Sequence, residues 1–473
     1  MITGNEQKEL LASLARLGGE AFKEEDVVFE GRKFVLPHGI TLPDAIRFLM
    51  RKHDEEEETT TFSRTFKYRP WDGARATWNA FKKAFGSVAH KGAQGFFGRE
   101  APQLITLPVG PNETEQVPWG EFEVPMLPGV TIALGGTQDD EFGPLFQVSV
   151  SAPKKFRHHV EGLFTLIEEE LRTNSMYRGK AIDGKDMAEF LDLSGTDPKK
   201  VVYSKDIEVQ LEANVWSLLR HSQQMREVGM PLKRAVLLEG PYGTGKTLAA
   251  FLTAKEAQEN GWTFLYARPG KDDLAMVMQT AKLYQPAVVF FEDMDVIAST
   301  EQNQDGVSKM LDLFDGITAK GTEIMVILTT NHPEKLHKGM MRPGRLDAVI
   351  HIGEPDADGI ARMVQTIVPQ KMLSSDVDYP VVAGAMNGFL PAYIKEACDR
   401  AVRYAIVRNG GDTELITLDT EDLVNAANGL RPQLELMNDA PEFSERDSLA
   451  VATEAAVTRA VKEILIDDVI AER

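Results

Sequence analysis

A chain of 473 residues is long enough for two or three domains of roughly 100–200 residues each. Its composition, 43% hydrophobic and 26% charged, is that of an ordinary globular protein. A formal net charge of −20 argues against a surface that tracks nucleic acid throughout. Cys398 is the single cysteine, which excludes intrachain disulfides and a cysteine metal cluster and points to a reducing, cytoplasmic setting. No apolar run approaches the roughly 20 residues that span a bilayer, and the N-terminus shows no signal-peptide pattern, so no membrane insertion is expected.

In chain order, residues 6–16 read as a helix. Two apolar stretches, 27–30 and 33–36, flank Gly31 as a hairpin would. A second helix is expected near Thr41, with Pro43 in its first turn and Asp44 placed for a capping box. Residues 53–61, with four consecutive glutamates, read as a solvated linker.

Residues 61–100 change sign, with eight basic side chains against Asp72 and Glu100. Aromatic residues lie between them, among them Phe66, Trp71, Trp78, Phe81 and Phe85. Such a pattern suits single-stranded nucleic acid. It equally suits an amphipathic helix whose rings face a core while its lysines face water, and that plainer reading has the greater weight. Short strands follow in 105–109, 120–127, 130–136 and 145–151, punctuated by Pro and Gly. A helix over 153–172 places Phe156, Val160, Phe164, Ile167 and Leu171 on one stripe. A hydrophilic stretch, 183–200, leads onward.

The chemistry-bearing motif comes next. An apolar strand at 235–239 runs directly into Gly240, Pro241, Tyr242, Gly243, Thr244, Gly245, Lys246 and Thr247, and a helical sequence opens at Leu248. This is G-x-x-x-x-G-K-T in its required setting of strand, loop and helix. Its glycines let backbone N–H groups curl around phosphates, and the helix N-terminus adds partial positive charge. Lys246 is placed for the β- and γ-phosphates of ATP, and the Thr247 hydroxyl for Mg²⁺. About 45 residues later the apolar run 287–291 ends in Glu292, Asp293, Met294 and Asp295. Carboxylates at the end of a buried strand beside a phosphate loop can hold Mg²⁺ and polarise a water. A third apolar run, 324–328, leads to Asn331, whose amide suits a γ-phosphate or the attacking water. Arg342 and Arg345 flank a rigid Pro-Gly turn, a setting suited to bidentate phosphate contact.

Together and in this order these pieces resemble the AAA ATPases, over about half the chain. The resemblance implies a three-layer α/β P-loop core with a parallel sheet, a small helical lid, and ATP with Mg²⁺ as cofactors. It identifies Arg345 with the family's arginine finger, which acts on the adjacent subunit's ATP, with Arg342 assisting. Asn331 takes the sensor-1 position, and Val202 and Tyr203 lie on the adenine side. It further implies a homo-oligomeric ring, a hexamer or alternatively a heptamer.

Within the family, Glu292-Asp293 inverts the usual Asp-Glu order. That inversion, the segment 329–347 and Pro391-Ala392 resemble the branch of the mitochondrial chaperone that translocates the Rieske protein, although that chaperone's membrane helix has no counterpart here. By alignment Glu292 falls on the metal position and Asp293 on the catalytic-base position, yet the swap leaves their division of roles open. Only about 20 residues separate the strand at 263–266 from Ala287, too few for the longer aromatic pore loop of peptide-threading relatives.

The expected organisation is an N-terminal α+β domain (1–195), a large ATPase domain (196–355), a helical lid (356–432) and an acidic, then amphipathic tail (433–473). The expected function is an oligomeric ATP-hydrolysing motor that remodels or translocates protein clients. The alternatives are a nucleic-acid-directed ATPase using residues 61–100 and a nucleotide-gated assembly scaffold. A fused protease is disfavoured, because the chain contains no H-E-x-x-H.

Overall fold

The structure, a computed structural model, describes residues 24–29, 32–37, 39–86, 94–95, 98–99, 103–185, 187–195, 197–198, 201–295, 322–336, 345–409 and 416–434. The helix expected at 6–16, Arg342 and the tail beyond 434 lie outside these residues.

Glu24–Phe29 and Arg32–Pro37 form the expected antiparallel pair. The helix Leu42–Glu57 starts at Thr41, whose hydroxyl accepts from the Asp44 N–H at 3.3 Å. The solvated linker expected over 53–61 is not there. The helix continues through the acidic run to Glu57, and a strand, Thr59–Phe66, begins at once. Alternation in TTTFSRTF carries the strand pattern, and Lys154 and Lys155 neutralise Glu58 and Glu57 at the junction.

This strand borders a five-stranded antiparallel sheet. Its order is Thr59–Phe66, Gly143–Pro153, Thr131–Asp139, Glu113–Glu123 and Gln103–Gly110. Two helices, Pro70–Phe85 and Arg157–Asn174, cover one face, burying Phe81, Val160, Phe164, Ile167 and Leu171 against Phe146, Val148 and Val150. The basic stretch therefore resolves into a strand and an amphipathic helix. Several of its cations are spent inside the unit, Arg64 on Glu161, Arg75 and Lys82 on Glu115, and Lys83 on Glu170.

The second sheet is wholly parallel. Its six strands run in the order Ala181–Asp183, Thr263–Ala267, Ala287–Phe291, Ile324–Thr330, Arg234–Glu239 and Ala348–His351. AVVFF and IMVILTT are buried at every position, as strands covered on both faces must be. Helices Lys246–Glu259 and Leu274–Leu283 supply crossovers. The boundary expected at residue 195 cuts across this sheet, because Ala181–Asp183 pairs with Thr263–Ala267 as its edge strand. The sequence before the motor thus closes the motor's own sheet, with Ile182 wholly buried in the core.

Four helices, Ala357–Ile367, Tyr379–Ala385, Pro391–Arg408 and Thr420–Asn428, pack around one apolar cluster. Ile394, Cys398 and Ala401 lie fully buried within it. Burial pushes the Cys398 thiol up to about 12, so this cysteine is packing rather than chemistry.

Candidate nucleotide-binding and catalytic site

The register of the parallel strands assembles the site. Glu239 lies opposite Thr330, and Phe291 opposite Leu328. The phosphate loop, Glu292-Asp293 and Asn331 therefore emerge side by side at the carboxyl edge of the sheet, where open α/β sheets bind ligands. They line a cleft of about 490 Å³ together with Val202, Tyr203, Leu248 and the lid residues Met363, Thr366, Ile367, Pro391 and Ala392.

The loop's shape depends on its glycines. Gly240 has φ of +150°, and a Cβ there would lie 2.1 Å from the Ile352 carbonyl oxygen, so no other residue fits. Lys246 is 7% exposed. Its ammonium donates to the carbonyls of Gly240 and Pro241, both at 2.7 Å, and Thr244 donates to the Pro241 carbonyl at 3.0 Å. Burial lowers the Lys246 pKa, while Asp293, Asp295, Glu239 and Glu292 pull it back up. Tyr242 stands largely exposed at the loop's tip, with its ring 6.2 Å from that of His332.

The two neighbouring acids point to different partners. The Glu292 carboxylate accepts from the Thr247 hydroxyl on one oxygen and from the Tyr266 hydroxyl on the other. Asp293 instead accepts from the Asn331 amide at 3.0 Å, and its backbone N–H donates to Thr329 Oγ1 at 2.9 Å. Asp293 holds φ of +53°, an unusual conformation for a non-glycine residue that commonly marks a functional position. Burial raises its pKa, the Glu292 charge adds to the rise, and the Asn331 hydrogen bond opposes it. Asp295, 7% exposed, accepts from Thr330 Oγ1 at 3.0 Å and the Asn331 N–H at 3.2 Å, which holds the Asn331 backbone at the strand end.

On the other wall, Tyr203 is buried and its hydroxyl donates to the Gly245 carbonyl at 2.8 Å. Arg362, on the first lid helix, donates to the Tyr203 carbonyl at 2.6 Å and to Glu208 at 2.9 Å. The N–H of Ala392 reaches the Gly243 carbonyl at 3.3 Å. The lid is thereby tied to the loop at Gly243 and to the segment carrying Tyr203 and Glu208.

Arg345 is the exception. Asp347 is clamped to Ala235 by two 2.8 Å hydrogen bonds, and Ala348 lies opposite Val236. Arg345 thus sits at the amino edge of the sheet, whereas the phosphate loop starts at the carboxyl edge. Five strand residues from Ala235 to Gly240, at ~3.3 Å each, separate the two edges by about 16 Å.

Sequence reasoning missed Tyr266 and any role for Asp295, and of the lid it anticipated only Pro391-Ala392. Tyr266 sits next to last on its strand, opposite Phe290, so aligning the ends of the parallel strands was the signal that could have found it. Asp295 lay in view as the last acid of the E-D-x-D run. The donors meeting at Thr247 and Glu292 are hard oxygens, which suits Mg²⁺ held by one or two protein groups plus phosphate oxygens and water.

Residues 236–354 match the model of the AAA family, the ATPase family associated with various cellular activities. A cell division cycle protein 48 homolog of Archaeoglobus fulgidus is 32% identical over 203 residues, 40% of this chain and 28% of that protein. An ATP-dependent zinc metalloprotease FtsH of Lactococcus lactis is 26% identical over 259 residues, 51% of this chain and 36% of that protein. The chain therefore spans about a third of the length of these relatives. With a phosphate loop, strand-end acids and a lid on one parallel sheet, and with this similarity across them, the chain carries an AAA ATPase domain.

Proposed function

We propose that this protein is an oligomeric ATP-hydrolysing motor that remodels or translocates protein clients, with each site completed by a neighbouring subunit. The observation that carries the proposal is the separation of Arg345 from its own phosphate loop. An arginine at the opposite edge of the sheet lies too far from its own cleft to serve it, and a ring would bring it to the next one.

Within the cleft the division of labour follows the hydrogen bonds. Lys246 and the loop N–H groups bind the β- and γ-phosphates. Thr247 and Glu292 would hold Mg²⁺, which would supply neutralisation of the phosphate charge. Asp293, paired with the Asn331 amide, orients the attacking water and accepts its proton, a role that its raised pKa suits. Arg345 from the neighbour stabilises the charge on the transferring group, an effect worth about 10³–10⁵ in rate.

A protein client is supported by the relative named as an ATP-dependent zinc metalloprotease. The Rieske-chaperone branch is supported by the Glu292-Asp293 order and by the compact segment after Thr263–Ala267. There Asp272 accepts from the Arg268 N–H at 2.6 Å, and Asp273 caps the following helix. This closed turn, without an aromatic tip, favours bulky or folded clients over threaded ones.

The test is steady-state ATP hydrolysis across a range of protein concentrations. Specific activity should climb with concentration and disappear in Lys246→Ala. Activity independent of concentration would mean self-contained sites. Robust unfolding of a threaded, tagged client would remove the bulky-client part of the reading.

A further inference from the structure

We infer that Tyr266 is a positioning residue for the magnesium-binding carboxylate, an inference that rests on the ATPase reading above. Glutamate at the first acid position is one methylene longer than the aspartate common in the family, and the added torsion gives its carboxylate more places to point. Two hydroxyls remove that freedom here. Thr247 donates to one carboxylate oxygen of Glu292 and Tyr266 to the other.

Tyr266 is itself held firmly. Its ring stacks on Phe290 at 6.0 Å with planes 12° apart, and on Phe251 at 6.4 Å and 25°. Its backbone is locked between two parallel strands, opposite Asp183 on one side and Phe290 on the other. A phenol fixed in this way works as the outer partner of a metal ligand. It sets the carboxylate's direction without touching the metal, and such partners commonly matter nearly as much as the ligands. The longer acid and the tyrosine form a matched pair, in which the extra methylene brings the carboxylate within reach of the hydroxyl.

The experiment measures binding of a fluorescent ATP analogue while free Mg²⁺ is titrated up from an EDTA-buffered start. Wild type, Tyr266→Phe, Glu292→Asp and the double variant are compared. Tyr266→Phe keeps the ring stacking, and its unfolding temperature should equal that of wild type. The half-saturating Mg²⁺ concentration should rise about 10-fold in Tyr266→Phe, with unchanged analogue affinity in EDTA. In the Glu292→Asp background the phenylalanine should add nothing, because the shorter carboxylate falls away from the hydroxyl.

An unchanged Mg²⁺ midpoint in Tyr266→Phe would overturn the assignment. So would a loss of affinity in EDTA as large as the loss in Mg²⁺, since the tyrosine would then merely shape the cleft. Wild-type protein that binds the analogue equally well with and without Mg²⁺ would overturn the magnesium site itself. That failure is visible before any variant is measured.

Discussion

Two polar assemblies in this molecule, one lining an open cleft and one buried, are built on opposite principles. At the nucleotide cleft, three acids and a lysine are gathered at strand ends with their charges incompletely matched. Asp293 is driven above its ordinary range by burial and by Glu292, and Lys246 is driven below its own. At the seam between the N-terminal unit and the motor, burial raises the pKa of Asp72 as well, but each charged group is surrounded by hydrogen-bond partners. Arg69, 2% exposed, donates to Thr280 Oγ1 at 2.6 Å and to the carbonyls of Phe142, Pro144 and Met276 at 2.9–3.1 Å. Asp72 accepts from Ser175 Oγ at 2.6 Å, the Met176 N–H at 2.8 Å and the Tyr284 hydroxyl at 3.0 Å. A buried charge with several hydrogen-bond partners fixes geometry, whereas acids collected beside a phosphate loop are suited to ligand chemistry.

The comparison predicts that damage at the cleft costs rate without stability, and that damage at the seam costs stability without altering the site. The largest effect should come from Arg345→Ala, with hydrolysis lower by about 10³-fold or more and ATP affinity and unfolding temperature unchanged. Asp293→Asn should lose about 10²-fold or more, because an amide cannot take the water's proton. Its unfolding temperature should not fall, since the variant relieves the like-charge contact with Glu292.

Arg69→Ala should lower unfolding free energy by about 3 kcal/mol, as several buried acceptors lose their donor. The KM for ATP in the folded fraction should stay at its wild-type value. A wild-type unfolding temperature in Arg69→Ala would break the comparison at once.

Asp72 gives a smaller, pH-dependent test. Burial raises its folded pKa above the unfolded value of about 3.9. The native state then binds more protons, so this group's contribution to stability is greatest at low pH and falls as pH rises towards the folded pKa. The difference in denaturation midpoint between wild type and Asp72→Asn should therefore shift in favour of the variant as pH rises from about 4. The smallest effect belongs to the surface. Lys82→Gln with Lys83→Gln should leave single-strand binding at background, as in wild type, because both lysines already face Glu115 and Glu170. Salt-dependent binding by the wild type would reopen the nucleic-acid reading.

The same contrast explains what could be read from the sequence. The phosphate loop, the strand-end acids and Asn331 were legible because each follows an apolar strand closely, and a parallel sheet brings strand ends together whatever the details of packing. Thr41, Pro43 and Asp44 announced a helix start by local chemistry alone. The seam was not legible, because Arg69 and Thr280 lie 211 residues apart and neither carries a local signature of the other. The acidic run 54–58 misled for a related reason. Charge density suggests a solvated linker, while the helix beneath it starts at the Thr41 cap, buries Ala45 and ends only at Glu57. Ala181–Asp183 is three residues long, too short for periodicity to mark it as a strand of the motor sheet.

The most direct test of the central claim is a mixing experiment. Arg345→Ala retains a complete cleft but supplies no arginine, and Lys246→Ala supplies the arginine but lacks a working cleft. Each alone should be inactive. Mixed, they should recover ATP hydrolysis, because a neighbour's arginine completes the intact cleft of the other variant. No recovery in a mixture shown to form mixed oligomers would contradict a site shared between subunits.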